Sequence, residues 1–266
     1  MAKRAAAATA AGQEGAARKG ARRMADVTPA VRARLNRGEI EALTLSEILT
    51  VDFAKLIRAA APEIDPRRAA RVGRAGGIIA RMRAAGVELL EHGGIGMFDG
   101  LAAHRSDTVR GWAAYLLAEA PGLTLAERLK RVKPLADDAN AGVREWAWIA
   151  LRPHVAADLP GAIRALWPWT GHRSANVRRY ASEITRPRGV WCAHLNELKR
   201  DPTSGLVLLE PLRADGAKYV QDSVANWLND AGKSHPEWVR GVCARWERES
   251  ESAATARICR RALRSL

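Results

Sequence analysis

Three carboxylates recur on one frame. Glu145, Glu183 and Asp230 follow Val143, Val177 and Val220 by two, six and ten residues. At about 100° per helical residue these offsets fall near 200°, 240° and 280°, a sector roughly 80° wide that is turned away from the valine. Carboxylates gathered at one place stabilise a cation developing in a transition state, and one of them can orient an attacking water. Asp230 also breaks a local rule. With Asn226 and Asn229 it closes an apolar-striped helix just ahead of Gly232, where the helix dipole disfavours an anion. Function concentrates at positions that violate local preference. Each acid has a structural reading as well: Glu183 pairs with Arg179 four residues earlier, Glu145 is a solvated charge after Arg144, and Asp230 makes an Asx-type helix-end bond.

The elements that must position these acids are helices. From about residue 39 the chain runs in amphipathic segments separated by short Gly, Pro, Asp and Asn turns, with no convincing strand pattern, so the fold class is all-α. SDTVRGWAAYLLA (106–118), NAGVREWAWIALRP (140–153), SANVRRYASEITRP (174–187) and GAKYVQDSVANWLND (216–230) share one outline, and their valines are 34, 34 and 43 residues apart. Such periods mean stacked helix pairs, an α-solenoid of HEAT-like repeats whose concave basic surface suits a duplex. Partner helices are expected over 123–136, 158–169, 189–200 and 204–213. Three residues after the valine stand Trp112, Trp146 and Tyr180, and four after it Ala113, Ala147, Ala181 and Val224; these read as core. The three carboxylates, on successive repeats, are then expected to form an acidic spot on an otherwise basic surface.

Composition narrows the partner. Of 266 residues, 43 are Lys or Arg and 29 Asp or Glu, a formal charge of +14 that favours a polyanion such as nucleic acid. Residues 1–38 hold nine of the cations and almost no large apolar residue, and read as a disordered basic tail ahead of a repeat domain over 39–266. Cys192, Cys243 and Cys259 are too few and too scattered for a disulfide framework or a zinc site and read as small buried residues; the six histidines have no metal-gripping spacing. No metal or cofactor is expected. GGIGMFDG (93–100) lacks the GK[ST] of a phosphate loop and reads as a linker. No run is long and apolar enough for a membrane span or a signal-peptide core, so a cytoplasmic protein is expected.

At these residues the sequence resembles the DNA alkylation repair glycosylases of the AlkC and AlkD superfamily, the AlkC branch more closely. The resemblance covers about residues 35–266. LNRGEIEALTLSEILTVDFAKL (35–56) is similar to the family's N-terminal helices, and NVRRYASEITRPRGVW (176–191) and YVQDSVANWLNDAGKSHPEWV (219–239) to its central and next repeats. It implies hydrolysis of the N-glycosidic bond of alkylated, cationic bases such as N3-methyladenine in duplex DNA by a monomer associated with the nucleoid. It further implies that Asp230 is the principal catalytic carboxylate and that Glu183 and Glu145 lie at the lesion. Trp191 is expected to pack against the damaged nucleotide and Arg179 to hold the DNA backbone; Arg186 joins it among the DNA-contacting residues, and Asn226 faces the substrate beside Asp230. The sequence closes with TARICRRALRSL, and the immunoglobulin-like domain of many AlkC members is expected to be absent. The main rival reading is a non-catalytic HEAT protein that binds DNA structures through the backbone.

Overall fold

The computed structural model describes residues 18–266. These hold sixteen α-helices and no strand: α1 (Pro29–Asn36), α2 (Leu45–Leu49), α3 (Phe53–Ala60), α4 (Pro66–Arg74), α5 (Gly77–Gly93), α6 (Phe98–Ala102), α7 (Asp107–Glu119), α8 (Leu125–Ala136), α9 (Ala141–Ala157), α10 (Leu159–Leu166), α11 (Ala175–Glu183), α12 (Asn196–Arg200), α13 (Leu206–Leu209), α14 (Lys218–Gly232), α15 (Pro236–Glu249) and α16 (Ala253–Ala262). None is long and apolar enough to cross a membrane. Helices α5, α7, α9, α11, α14 and α16 pack each against the next and form one layer; α8 and α10 lie behind it. The four aligned valines stand in that layer, fully buried with Trp112, Trp146 and Tyr180. Burying one such side chain stabilises by about 1.5–3 kcal/mol, so the repeated outline is the solenoid's continuous core.

A second recurring residue stitches the turns. One place after each valine, Arg110, Arg144 and Arg178 donate Nη1 to two backbone carbonyls five and six residues earlier, at 2.6–3.1 Å. Gln221 does the same to Asp215 O at 2.7 Å. Arg110 and Arg178 also bind an aspartate in the next repeat's turn, Asp138 and Asp215. The polar residue after the valine therefore fixes the angle at which each inner helix begins, satisfying carbonyls that the turn leaves unpaired. Gly111 permits close stacking: a Cβ there would lie 2.6 Å from Met82 and 2.7 Å from the Trp146 ring.

Three expectations change. Residues 18–38 are not tail: Arg18 reaches the buried Glu47 at 2.6 Å, Thr44 Oγ1 donates to Ala21 O, and α1 buries Leu35. This segment needs few apolar residues because charge and backbone contacts fasten it to an existing core; residues 1–17 lie outside the described residues. The partner helix expected over 189–200 is helical only in α12. Residues 185–195 are irregular, since Arg152 of α9 takes up the carbonyls of Ile184, Arg186 and Ala193 at 2.5–3.0 Å, a pattern no helix provides. The segment over 204–213 breaks into α13 flanked by 3-10 turns, where Pro202 and Pro211 interrupt helical bonding. The 93–100 stretch joins α5 to α6 through a 3-10 turn over Ile95–Met97, with Gly94 at φ 68° ending α5. Cys243 and Cys259 are buried, while Cys192 is only partly so.

Candidate active site

The inner layer opens on a cleft of about 760 Å³. Its lining follows the repeat. Two residues after the valine, Glu145, Arg179 and Asp222 face it; six after, Ile149, Glu183 and Asn226 do. Trp148 and Tyr219 supply aromatic surface, the loop before α2 contributes Glu41 to Thr44, α2 adds Leu45 and Ile48, and the irregular 185–195 segment contributes Val190 and Trp191.

The three carboxylates do converge, interleaved with cations. Trp148 Nε1 donates to Glu145 at 2.9 Å, and Arg179 bridges Glu145 (2.7 Å) to Glu183 (3.4 Å). Arg186 bridges Glu183 (2.8 Å) to Asp230 (2.7 Å), and Lys233 closes the row on the other Asp230 oxygen at 3.0 Å. The expected acidic spot is thus a charge-balanced ladder. An uncompensated cluster of buried carboxylates is prohibitively costly, and alternation removes that cost. Burial raises the Glu183 carboxyl, yet Arg179, Arg186 and the Ser223 hydroxyl, which donates at 2.6 Å, hold it below the usual range. Burial lowers the Arg179 guanidinium, but Glu183 and Glu145 more than restore it.

Asp230 departs from expectation. It stands in the last turn of α14 as the sequence places it, but it is buried and does not line the cleft; Arg186 does. Ten residues after its valine it lies one helical turn below Asn226. The unfavourable dipole is offset by Arg186 and Lys233. Asn226 lines the cleft and accepts from Arg264, and Asn229 ties α14 to Ala262 O. Arg179 is taken up in ion pairs and in stacking 4.4 Å from the centre of the Tyr219 ring.

Trp191 is half exposed at the cleft edge, with a φ of 68° that strains any residue but glycine. Arg152, buried behind it, holds the segment that carries it; burial lowers this guanidinium's pKa. Sequence reasoning missed Arg152, although it stands nine residues after its valine, as Arg186 does one repeat later. It also missed Tyr219 and Trp148, whose aromatic character alone does not separate cleft from core.

No family model matches the chain. It is 43% identical over 97 residues to the uncharacterized protein YhaZ of Bacillus subtilis (strain 168), a match covering 36% of this chain and 27% of YhaZ. Among solved structures it is similar to Pseudomonas fluorescens alkylpurine DNA glycosylase AlkC bound to DNA containing an abasic site analog. The TM-score is 0.64 at 27% identity, covering 80% of this chain and 60% of that one. Smu.31 from Streptococcus mutans UA159 shares the fold, with a TM-score of 0.59 at 20% identity, over 71% of this chain and 92% of that one. This chain thus spans less than two thirds of AlkC and of YhaZ. With the repeat and the inner layer, these likenesses show that the chain has a helical-repeat fold similar to that of AlkC.

Proposed function

We propose that this protein is a DNA repair glycosylase that hydrolyses the N-glycosidic bond of alkylated, cationic bases in duplex DNA. The observation that carries this reading is the convergence of Glu145 and Glu183 on an aromatic-sided cleft in a chain similar to a DNA-bound glycosylase. Alkylation at a ring nitrogen makes the base a cationic leaving group, and its departure leaves an oxocarbenium-like sugar. A carboxylate preorganised beside that sugar is worth on the order of 10²–10³ in rate.

In this reading Glu145 meets the substrate first, being the ladder carboxylate most open to the cleft, with a side chain 37% exposed. Glu183 and Asp230 stand behind it, each against Arg186. DNA phosphates are the anions that compete for Arg186 and Lys233, and their capture of either cation frees Asp230 to act on the sugar. Trp191 packs against the damaged nucleotide. The protein works in the cytoplasm, at the nucleoid. The test is chromatography of bases released from methylated duplex DNA: a freed alkylbase establishes the activity and names the substrate. Absence of release from a protein that binds the duplex favours a non-catalytic DNA-structure reader, a reading favoured by the occupation of both Asp230 oxygens.

A further inference from the structure

A second groove, of about 820 Å³, lies between α1 and α3 and shares no lining residue with the cleft. Arg32 and Arg37 line it from α1 and its C-terminal end, Lys55 and Arg58 from α3, and no carboxylate does. Val27, Ala33, Ala59 and Pro62 give it apolar surface. Glu39 neutralises Arg37 at 2.5 Å, and Asp52 lies 3.5 Å from Lys55. Arg32 and Arg58 are exposed and have no carboxylate partner among the described residues. One nearly buried group in this groove calls for an acceptor. Asn36, only 8% exposed, accepts from Asp52 N at 2.8 Å through Oδ1, and that bond assigns the orientation of its amide. Its Nδ2 donor is left without a partner among the described residues, an arrangement that is costly until an acceptor reaches it.

Each feature selects the partner. The free cations and the amide donor call for acid oxygens. Arg32 and Arg37 stand five residues apart, about 7 Å along the axis of α1, so the positive charge is drawn out in a line and does not converge on a point. A single small anion leaves most of that line unused, whereas carboxylates one turn apart on a partner helix, about 5–6 Å, match it. The apolar lining and the stems of the Arg and Lys side chains find nothing to cover on a phosphodiester backbone, but they suit the apolar face of an amphipathic helix. Small side chains at Ala33 and Ala59 let such a helix approach closely.

We infer that the groove between α1 and α3 is a docking site for an acidic amphipathic helix of a partner protein, seated on the apolar lining with its carboxylates against Arg32, Arg58 and the Asn36 amide. The site stands apart from the cleft, so it holds whether or not the chain excises bases.

The test uses the full chain and a labelled helical peptide with leucines on one face and glutamates flanking them, its binding read by anisotropy. Wild type is expected to bind this peptide, and to bind a scrambled peptide of the same composition about tenfold more weakly. Arg32→Glu with Arg58→Glu, both exposed and so compatible with folding, sets like charges against each other and is expected to lose about tenfold in affinity. Asn36→Asp keeps the acceptor for Asp52 N, replaces the donor with an anion, and is expected to lose about tenfold as well. Failure of wild type to bind the peptide, equal binding of both peptides, or a double variant that binds as wild type does overturns the inference. A double variant that loses affinity for a DNA duplex by the same factor would assign the groove to the DNA backbone and overturn it too. So would light scattering that shows a wild-type dimer made monomeric by the double variant, because the occupant would then be a second copy of this chain.

Discussion

At the scale of single residues, the unusual groups are those whose surroundings contradict their chemistry. Asp107 is buried with one oxygen unpartnered, and burial pushes its carboxyl up to about 6 from 3.8, despite hydrogen bonds from the Ala42 and Thr108 backbones. Between those two values the folded protein binds more protons than the unfolded chain, so this residue makes stability fall as pH rises from about 4 to 6. Thermal melts of Asp107→Asn are expected to lose that part of the pH dependence; an unchanged profile would show that Asp107 ionises freely. Trp191 is the second such group. Its φ of 68° costs on the order of 1–3 kcal/mol, which glycine would relieve. Trp191→Gly is expected to melt within about 1 kcal/mol of wild type while base release falls at least tenfold. A large loss of stability would make this tryptophan a packing residue.

At the scale of elements, the legible features were those with a period. The valine frame and the aromatic position after it recur at helical spacing, and the structure stacks them as that spacing implies. The angular sector was right for Glu145 and Glu183 because offsets two and six both face the cleft. It overreached for Asp230: each further turn rotates the side chain by about 40° and moves it about 6 Å along the axis, which carries it beneath the lining. The irregular segment 185–195 was not legible, because a single buried arginine two helices away dictates it. Removing that group tests the dependence. Arg152→Met leaves three carbonyls without a donor and is expected to cost about 3 kcal/mol, with hydrogen exchange rising first over residues 185–195. Uniform loss of protection would instead make Arg152 a general core residue.

At the scale of the whole molecule, a strongly basic chain places a charge-neutral ladder at the centre of its inner layer. On the glycosylase reading, the excess positive charge attracts a duplex by the release of counterions, while the pairing of acids with arginines keeps the ladder itself neutral. Net charge was readable from composition; the neutrality of the cleft was not, since it depends on which arginines fold against which acids. The central claim is that these acids perform chemistry. Single-turnover excision of an alkylated base by wild type and Asp230→Asn, with duplex affinity measured in parallel, tests it most directly. The account predicts a loss on the order of 10²–10³ in rate with affinity changed little. An Asp230→Asn variant that excises at the wild-type rate would contradict it.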